Sequence, residues 1–107
     1  MSTESQTSQV RYFYRREDQK RLGKERIITV AYRHNQDTGE TSYGATIFRK
    51  DSPSDTFSKK THRGTANSRL DKRPVIITID GAATLDEVED EIRSAIRTYG
   101  VSGSRND

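Results

Sequence analysis

The stretch from Thr84 to Gly100, TLDEVEDEIRSAIRTYG, admits one local structure and so fixes what the rest of the chain must supply. Thr84 and Glu87 have the spacing of a capping box, in which each side chain accepts the other residue's backbone N–H at a helix start. Leu85, Val88, Ile92, Ala95, Ile96 and Tyr99 recur at the intervals that put them on one helical face, and Gly100 supplies a C-terminal stop. An apolar stripe of this strength needs a partner surface. The chain before it offers a sheet.

Three strands are expected first. QVRYFYRRE mixes aromatic and basic residues with strand preference, and ERIITVAYRHN is clearer because Ile27, Ile28, Thr29, Val30 and Tyr32 are β-branched or aromatic. DQKRLGK between them reads as a hairpin loop or one helical turn. HNQDTGE then carries the Asn, Asp and Gly of a turn. The return strand TSYGATIFRK puts Tyr43, Ala45 and Ile47 on one face and Gly44, Thr46 and Phe48 on the other.

Next, Ser52 is placed as a helix cap with Pro53 at the first helical position and Asp55 completing the box, and Pro74 forces an end near Leu70 to Lys72. This helix has no clean stripe, since Phe57 falls nearly opposite Ala66 and Leu70, and Gly64 weakens its middle. It is expected to be kinked or buried on two sides. PVIITID, a nearly continuous apolar run, suits a central strand covered on both faces. The expectation is therefore a single α+β domain over residues 9–101 in the order β-β-β-α-β-α, an antiparallel sheet with the helices packed on one face. Residues 1–8 and 102–107 are expected to be a disordered tail and a flexible C-terminal tail.

Only 29% of the 107 residues are hydrophobic and 33% are charged, so the apolar supply is small against the entropy of ordering the chain. A homo-oligomer that hides leftover apolar strand faces is one way to meet that shortfall. The absence of cysteine removes disulfide frameworks, thiolate catalysis and cysteine-ligated zinc. With neither a secretory leader pattern nor a run of about 20 apolar residues, the expectation is a soluble cytoplasmic protein with no membrane partner. Charge is divided along the chain: residues 1–74 carry 16 Lys plus Arg against 9 Asp plus Glu, whereas residues 75–107 carry 3 against 7. Such asymmetry suits a polyanion-binding surface or complementarity within or between molecules.

The basic excess has a focus. DTFSKKTHRGTANSRL places Lys59, Lys60 and Arg63 near a helix start, where unpaired N–H groups and the positive dipole end favour anions. Lys59 and Arg63 lie one turn apart on one side. Arg69, Lys72 and Arg73 extend the basic character, and RYFYRR interleaves Arg11, Arg15 and Arg16 with Tyr12, Phe13 and Tyr14, the residue types of a strand that stacks bases and pairs phosphates. The competing readings are a solvated helix face and an amphipathic strand with its aromatics in the core.

Three antiparallel strands followed by SKKTHR resemble the C-terminal half of a double-stranded-RNA-binding domain, with Ser58, Lys59, Lys60 and Arg63 at matching spacing. That resemblance implies phosphate contacts across a groove. Tyr43, Gly44, Asp55, Phe57, Ser58, Lys59, Lys60, Arg63, Ala66, Arg69 and Leu70 also form a pattern similar to that of small bacteriophage-encoded accessory proteins. It implies a viral, host-directed setting in a host cytoplasm, where such proteins sequester nucleotide signals or block host enzymes.

No catalytic signature is present. His34 and His62 stand without a nucleophile motif, a paired-carboxylate context or metal-ligand spacing, and no Gly-rich nucleotide loop occurs, so no enzyme, cofactor or metal site is expected. Two function classes remain. One is a non-enzymatic binder of nucleic acid or a phosphorylated nucleotide. The other is a module that binds and inhibits a host protein through an open strand edge, the aromatic strand face or the acidic run Asp86, Glu87, Glu89, Asp90 and Glu91.

Overall fold

The structure, a computed structural model, describes residues 9–19, 24–50 and 56–103. Its elements are β1 (Arg11–Gln19), β2 (Lys24–His34), β3 (Glu40–Lys50), α1 (Lys59–Lys72), β4 (Val75–Thr78) and α2 (Leu85–Tyr99). The strands form one antiparallel sheet in the order β1-β2-β3-β4. This is the expected α+β class and element order. Among the described residues no helix is long and apolar enough to cross a membrane.

The β2–β3 turn forms where Asn, Asp and Gly led us to expect it. The Asn35 side chain accepts the amides of Asp37 and Thr38 at 2.8 and 3.2 Å, and Gly39 takes φ +80°, a conformation that side-chain-bearing residues rarely adopt. The β1–β2 connection, residues 20–23, lies outside the described residues. The register then sorts the strands into two faces. Phe13, Val30 and Ala45 align across β1, β2 and β3 on one face, as do Tyr32 and Tyr43, while Ala31 aligns with Gly44 on the other.

The helices lie on opposite faces of this sheet, not on one as expected. Helix α2 buries Val88, Ile92 and Ala95 against Phe13, Ile28, Val30, Tyr32, Tyr43, Ala45, Val75 and Ile79. Helix α1 buries only Ala66 and Leu70, against Ala31 with Val10 and Tyr12 alongside. The reason lies in side-chain size. Around Gly44 the second face is nearly flat, and a Cβ there would meet the Leu70 amide nitrogen and come within 2.7 Å of the Ala66 carbonyl oxygen. Helix α1 therefore docks by close backbone approach, which explains how it survives without an apolar stripe.

Two other expectations are corrected. Helix α1 starts six residues later than read: Ser58 is the cap, its Oγ accepting the Thr61 amide at 3.3 Å, while residues 51–55 lie outside the described residues. Phe57 thus precedes the helix and its ring stacks on His62 at 4.9 Å, a staple across the first turn. The helix is one continuous element that ends at Lys72, within the expected span. Second, among the described residues β4 pairs with β3 alone, at the edge of the sheet and not at its centre. Val75 and Ile79 are buried toward α2, but Ile76 alternates to the α1 side of the sheet at a place the helix does not cover, and is 58% exposed.

The capping box of α2 forms as read, with Thr84 N–H donating to Glu87 Oε1 at 2.9 Å and Glu87 N–H donating to Thr84 Oγ1 at 3.2 Å. Gly100 ends the helix at φ +93°. Beyond it the chain folds back along the outer edge of β3 where β4 has ended. Val101 accepts the Ala45 amide at 2.8 Å, and the Gly103 amide donates to the Arg73 carbonyl at 2.6 Å. Ser102 and Gly103, assigned above to the flexible tail, are half-buried here; residues 1–8 and 104–107 lie outside the described residues.

Two buried phenols tie α2 to the sheet. Tyr32 donates to a Glu89 carboxylate oxygen and Tyr43 to the Gly100 carbonyl, both at 2.9 Å. Burial first, and then the Glu89 carboxylate, push the Tyr32 phenol far above its ordinary value; burial pushes Tyr43 up to about 12. The folded protein holds these protons more tightly than the unfolded chain. The stability they contribute is complete below the ordinary phenol value of 10.0 and is lost as pH rises from there toward 12. Urea midpoints measured on either side of pH 10 should fall through that window, and Tyr43→Phe should make the fall shallower. A flat profile would contradict the burial of both hydroxyls.

Candidate phosphate-binding ledge

On the α1 side of the sheet, strand alternation sends Tyr12 and Tyr14 toward the first turns of α1. Lys59 Nζ lies 5.0 Å from the centre of the Tyr14 ring, and Arg63 Cζ lies 5.5 Å from that of Tyr12. The two repeats are commensurate. Residues two apart on a strand advance by about 6.7 Å, and residues four apart on a helix by about 6 Å. Two cations one turn apart therefore stand over two rings one pleat apart.

Such contacts contribute roughly 0.5 to 1 kcal/mol each at exposed sites. Their larger effect is to hold two flexible cations in place while leaving them open to solvent. Lys60 is also exposed, and the first turn of α1 has no acidic residue. Among the described residues no carboxylate lies within ion-pair distance of Lys59, Lys60 or Arg63. Behind them Phe57, Phe48 and His62 form an aromatic cluster, with Phe48 5.5 Å from Phe57 and 5.4 Å from His62, and Tyr14 meets Phe57 edge-on at 6.2 Å.

The other basic residues divide. Arg16 has the same strand parity as Tyr12 and Tyr14 and extends the ledge along β1. Arg11 and Arg15 have the opposite parity and belong to the α2 face, where Arg15 pairs with Asp90 at 3.2 Å. Arg69 donates to the Ala45 carbonyl at 2.7 Å, satisfying the edge of β3 that β4 leaves open. Lys72 and Arg73 are exposed at the far end of α1, about 20 Å along the axis from Lys59 at 1.5 Å per residue. Of the nine basic residues singled out in the sequence, Lys59, Lys60, Arg63 and Arg16 share one surface.

Each histidine uses Nδ1 in a local contact. His62 Nδ1 donates to the Ser58 carbonyl at 2.8 Å. His34 is buried with Nδ1 2.8 Å from Thr41 Oγ1, which itself lies 3.2 Å from the Gly39 carbonyl oxygen. Both bonds tie down a turn or a helix start. Tyr12 and Tyr14 were visible in the sequence as part of RYFYRR, but their pairing with Lys59 and Arg63 was not, because it joins residues some fifty positions apart. Comparison with protein-family models, with curated proteins and with solved structures finds no match to this chain.

Proposed function

We propose that the protein is a non-enzymatic binder of nucleic acid or nucleotide phosphates that works through the ledge of Lys59, Lys60 and Arg63 over Tyr12 and Tyr14. The observation that carries this reading is the matched spacing of two pre-positioned, solvent-open cations over two aromatic rings at a helix N-terminus. Phosphates are drawn by the cations and by the positive end of the helix dipole. The half-buried rings, where the cations leave them open, offer bases of an unpaired strand a stacking surface. Counterion release supplies most of the affinity for a polymer. The setting we propose is the viral, host-directed one implied by the resemblance to phage accessory proteins.

A specific observation favours a second reading, a module that grips a host protein. Among the described residues no strand pairs with the outer edge of β4, and Ile76 and Tyr99, 58% and 61% exposed, help to line a groove of about 450 Å³ along β4 and α2. Fluorescence anisotropy with labelled double-stranded RNA, single-stranded RNA and duplex DNA at two salt concentrations separates the two. Tight binding that weakens steeply with salt is expected. Absence of binding at low salt overturns the polymer reading and moves attention to the β4 edge, where sedimentation run alongside reports whether a second copy covers it.

A further inference from the structure

The two edges of the sheet are guarded differently. At one edge β1 carries Arg11, Arg15, Arg16, Glu17 and Asp18, whereas at the other the four residues of β4, Val75–Thr78, carry no charge. Charged side chains are a common guard against pairing with another chain. The backbone of β4 also faces outward. The Ile79 amide donates to the Gly39 carbonyl at 2.8 Å, and antiparallel alternation then turns Val75 and Ile77 toward β3 and the N–H and C=O groups of Ile76 and Thr78 away from it. We propose that a second copy of this chain pairs along this edge, β4 against β4 about a twofold axis, to make one continuous sheet of eight strands from two sheets of four.

Side-chain parity and charge both select a second copy as the occupant. A twofold axis normal to the sheet sets Ile76 opposite Ile76 of the other copy, which keeps Val75, Ile77 and Ile79 of both chains on the α2 side. The exposed Ile76 is then covered by its own mate. Lys72 and Asp80 each stand four residues from Ile76, so antiparallel pairing brings the exposed Lys72–Arg73 end of one copy to the exposed Asp80 of the other, where Glu87 lines the same cleft. Parallel pairing would set like charges together. Among the described residues no carboxylate of the single chain lies within ion-pair distance of Lys72 or Arg73. Above the edge, α2 contributes Ser94, Thr98 and Tyr99 to the groove beside Ile76, with Glu91 as its one charged residue there. The axis lays the two α2 helices side by side through these uncharged residues. Self-pairing occupies the edge that a host protein would otherwise use, and it leaves the ledge free.

Sedimentation equilibrium of the full chain, over a concentration series reaching about 500 µM, should show a monomer–dimer equilibrium with a dissociation constant on the order of 10 µM, as suits a short edge with a small buried area. Amide exchange locates the contact. The Ile76 and Thr78 amides should slow by about tenfold or more as concentration rises through that constant, whereas amides on the outer edge of β1 should not change. Ile76→Lys should raise the dissociation constant by about tenfold or more, because it sets like charges directly opposite each other. Its thermal midpoint at a dilution where both proteins are monomeric should match the wild type, since the position is exposed. Lys72→Gln/Arg73→Gln should raise the constant severalfold by removing the cross-edge charges. The variant Lys59→Ala/Lys60→Ala/Arg63→Ala should dimerise like the wild type, so failure here and failure of the ledge are separable. The proposal is overturned if the protein stays monomeric throughout, if it dimerises with the Ile76 and Thr78 amides unchanged, or if either edge variant dimerises as tightly as the wild type.

Discussion

Gly44→Ala should lose about 3 kcal/mol of stability, toward the upper end of what overpacking a closed site costs. The added methyl meets not a flexible side chain but the backbone of α1: the Leu70 amide nitrogen, the Ala66 carbonyl oxygen at 2.7 Å and the Arg69 carbonyl carbon at 2.7 Å. Backbone atoms inside a hydrogen-bonded helix cannot step aside singly, so α1 must lift as a unit. Lifting it uncovers Ala31, Ala66 and Leu70 and withdraws Lys59 and Arg63 from the tyrosines. A small domain has on the order of 5 to 10 kcal/mol to lose, and Gly44→Val is therefore expected to be unfolded at room temperature.

The control is Gly64→Ala, in the exposed middle of the same helix with nothing within 4 Å of the new methyl. It should gain up to about 1 kcal/mol, since alanine loses less backbone freedom than glycine in a helix interior. Urea titrations of the two variants decide the matter together. Equal midpoints for Gly44→Ala and the wild type would mean that α1 does not rest on β3 as described. Amide exchange adds a spatial check, because α1 should open in Gly44→Ala before α2 does.

This division between the helices also explains what could be read from the sequence. Helix α2 was legible to the residue because its instructions are local: a box at Thr84 and Glu87, a stripe, and a glycine stop. The first three strands and the 35–39 turn were legible for the same reason. Helix α1 carries little local information, and its start was misplaced because Ser52-Pro53 satisfies the same capping rules as Ser58. What holds α1 is Gly44, a residue whose meaning appears only when two backbones meet. The apolar run of β4 suggested two covered faces, yet cover depends on how far α1 reaches, and Ile76 lies beyond it. Among the basic residues, parity alone separates Arg16 from Arg15. The ion pair to Asp90 and the Arg69 bond to Ala45 needed the third dimension.

Replacing Lys59, Lys60 and Arg63 together by alanine should weaken polymer binding by on the order of a hundredfold or more at low salt, because several charge-assisted contacts are lost at once. The fold should survive, since all three side chains are exposed and the contacts removed are two cation–ring pairs. The salt dependence is the sharper readout. If each cation neutralises one phosphate, the slope of log affinity against log salt should become shallower by nearly 3 on duplex and by about 2 on single strands. Tyr14→Leu should behave differently: the apolar contact with Phe57 is kept while the platform under Lys59 is removed. Affinity for single strands should then fall by about 1 to 3 kcal/mol per lost stacked base, with the slope unchanged because no charge has gone. A triple variant that keeps the wild-type slope would show that phosphates are held elsewhere. A Tyr14→Leu variant that flattens the slope would show that the ring acts only by positioning Lys59, and that the ledge reads charge without stacking.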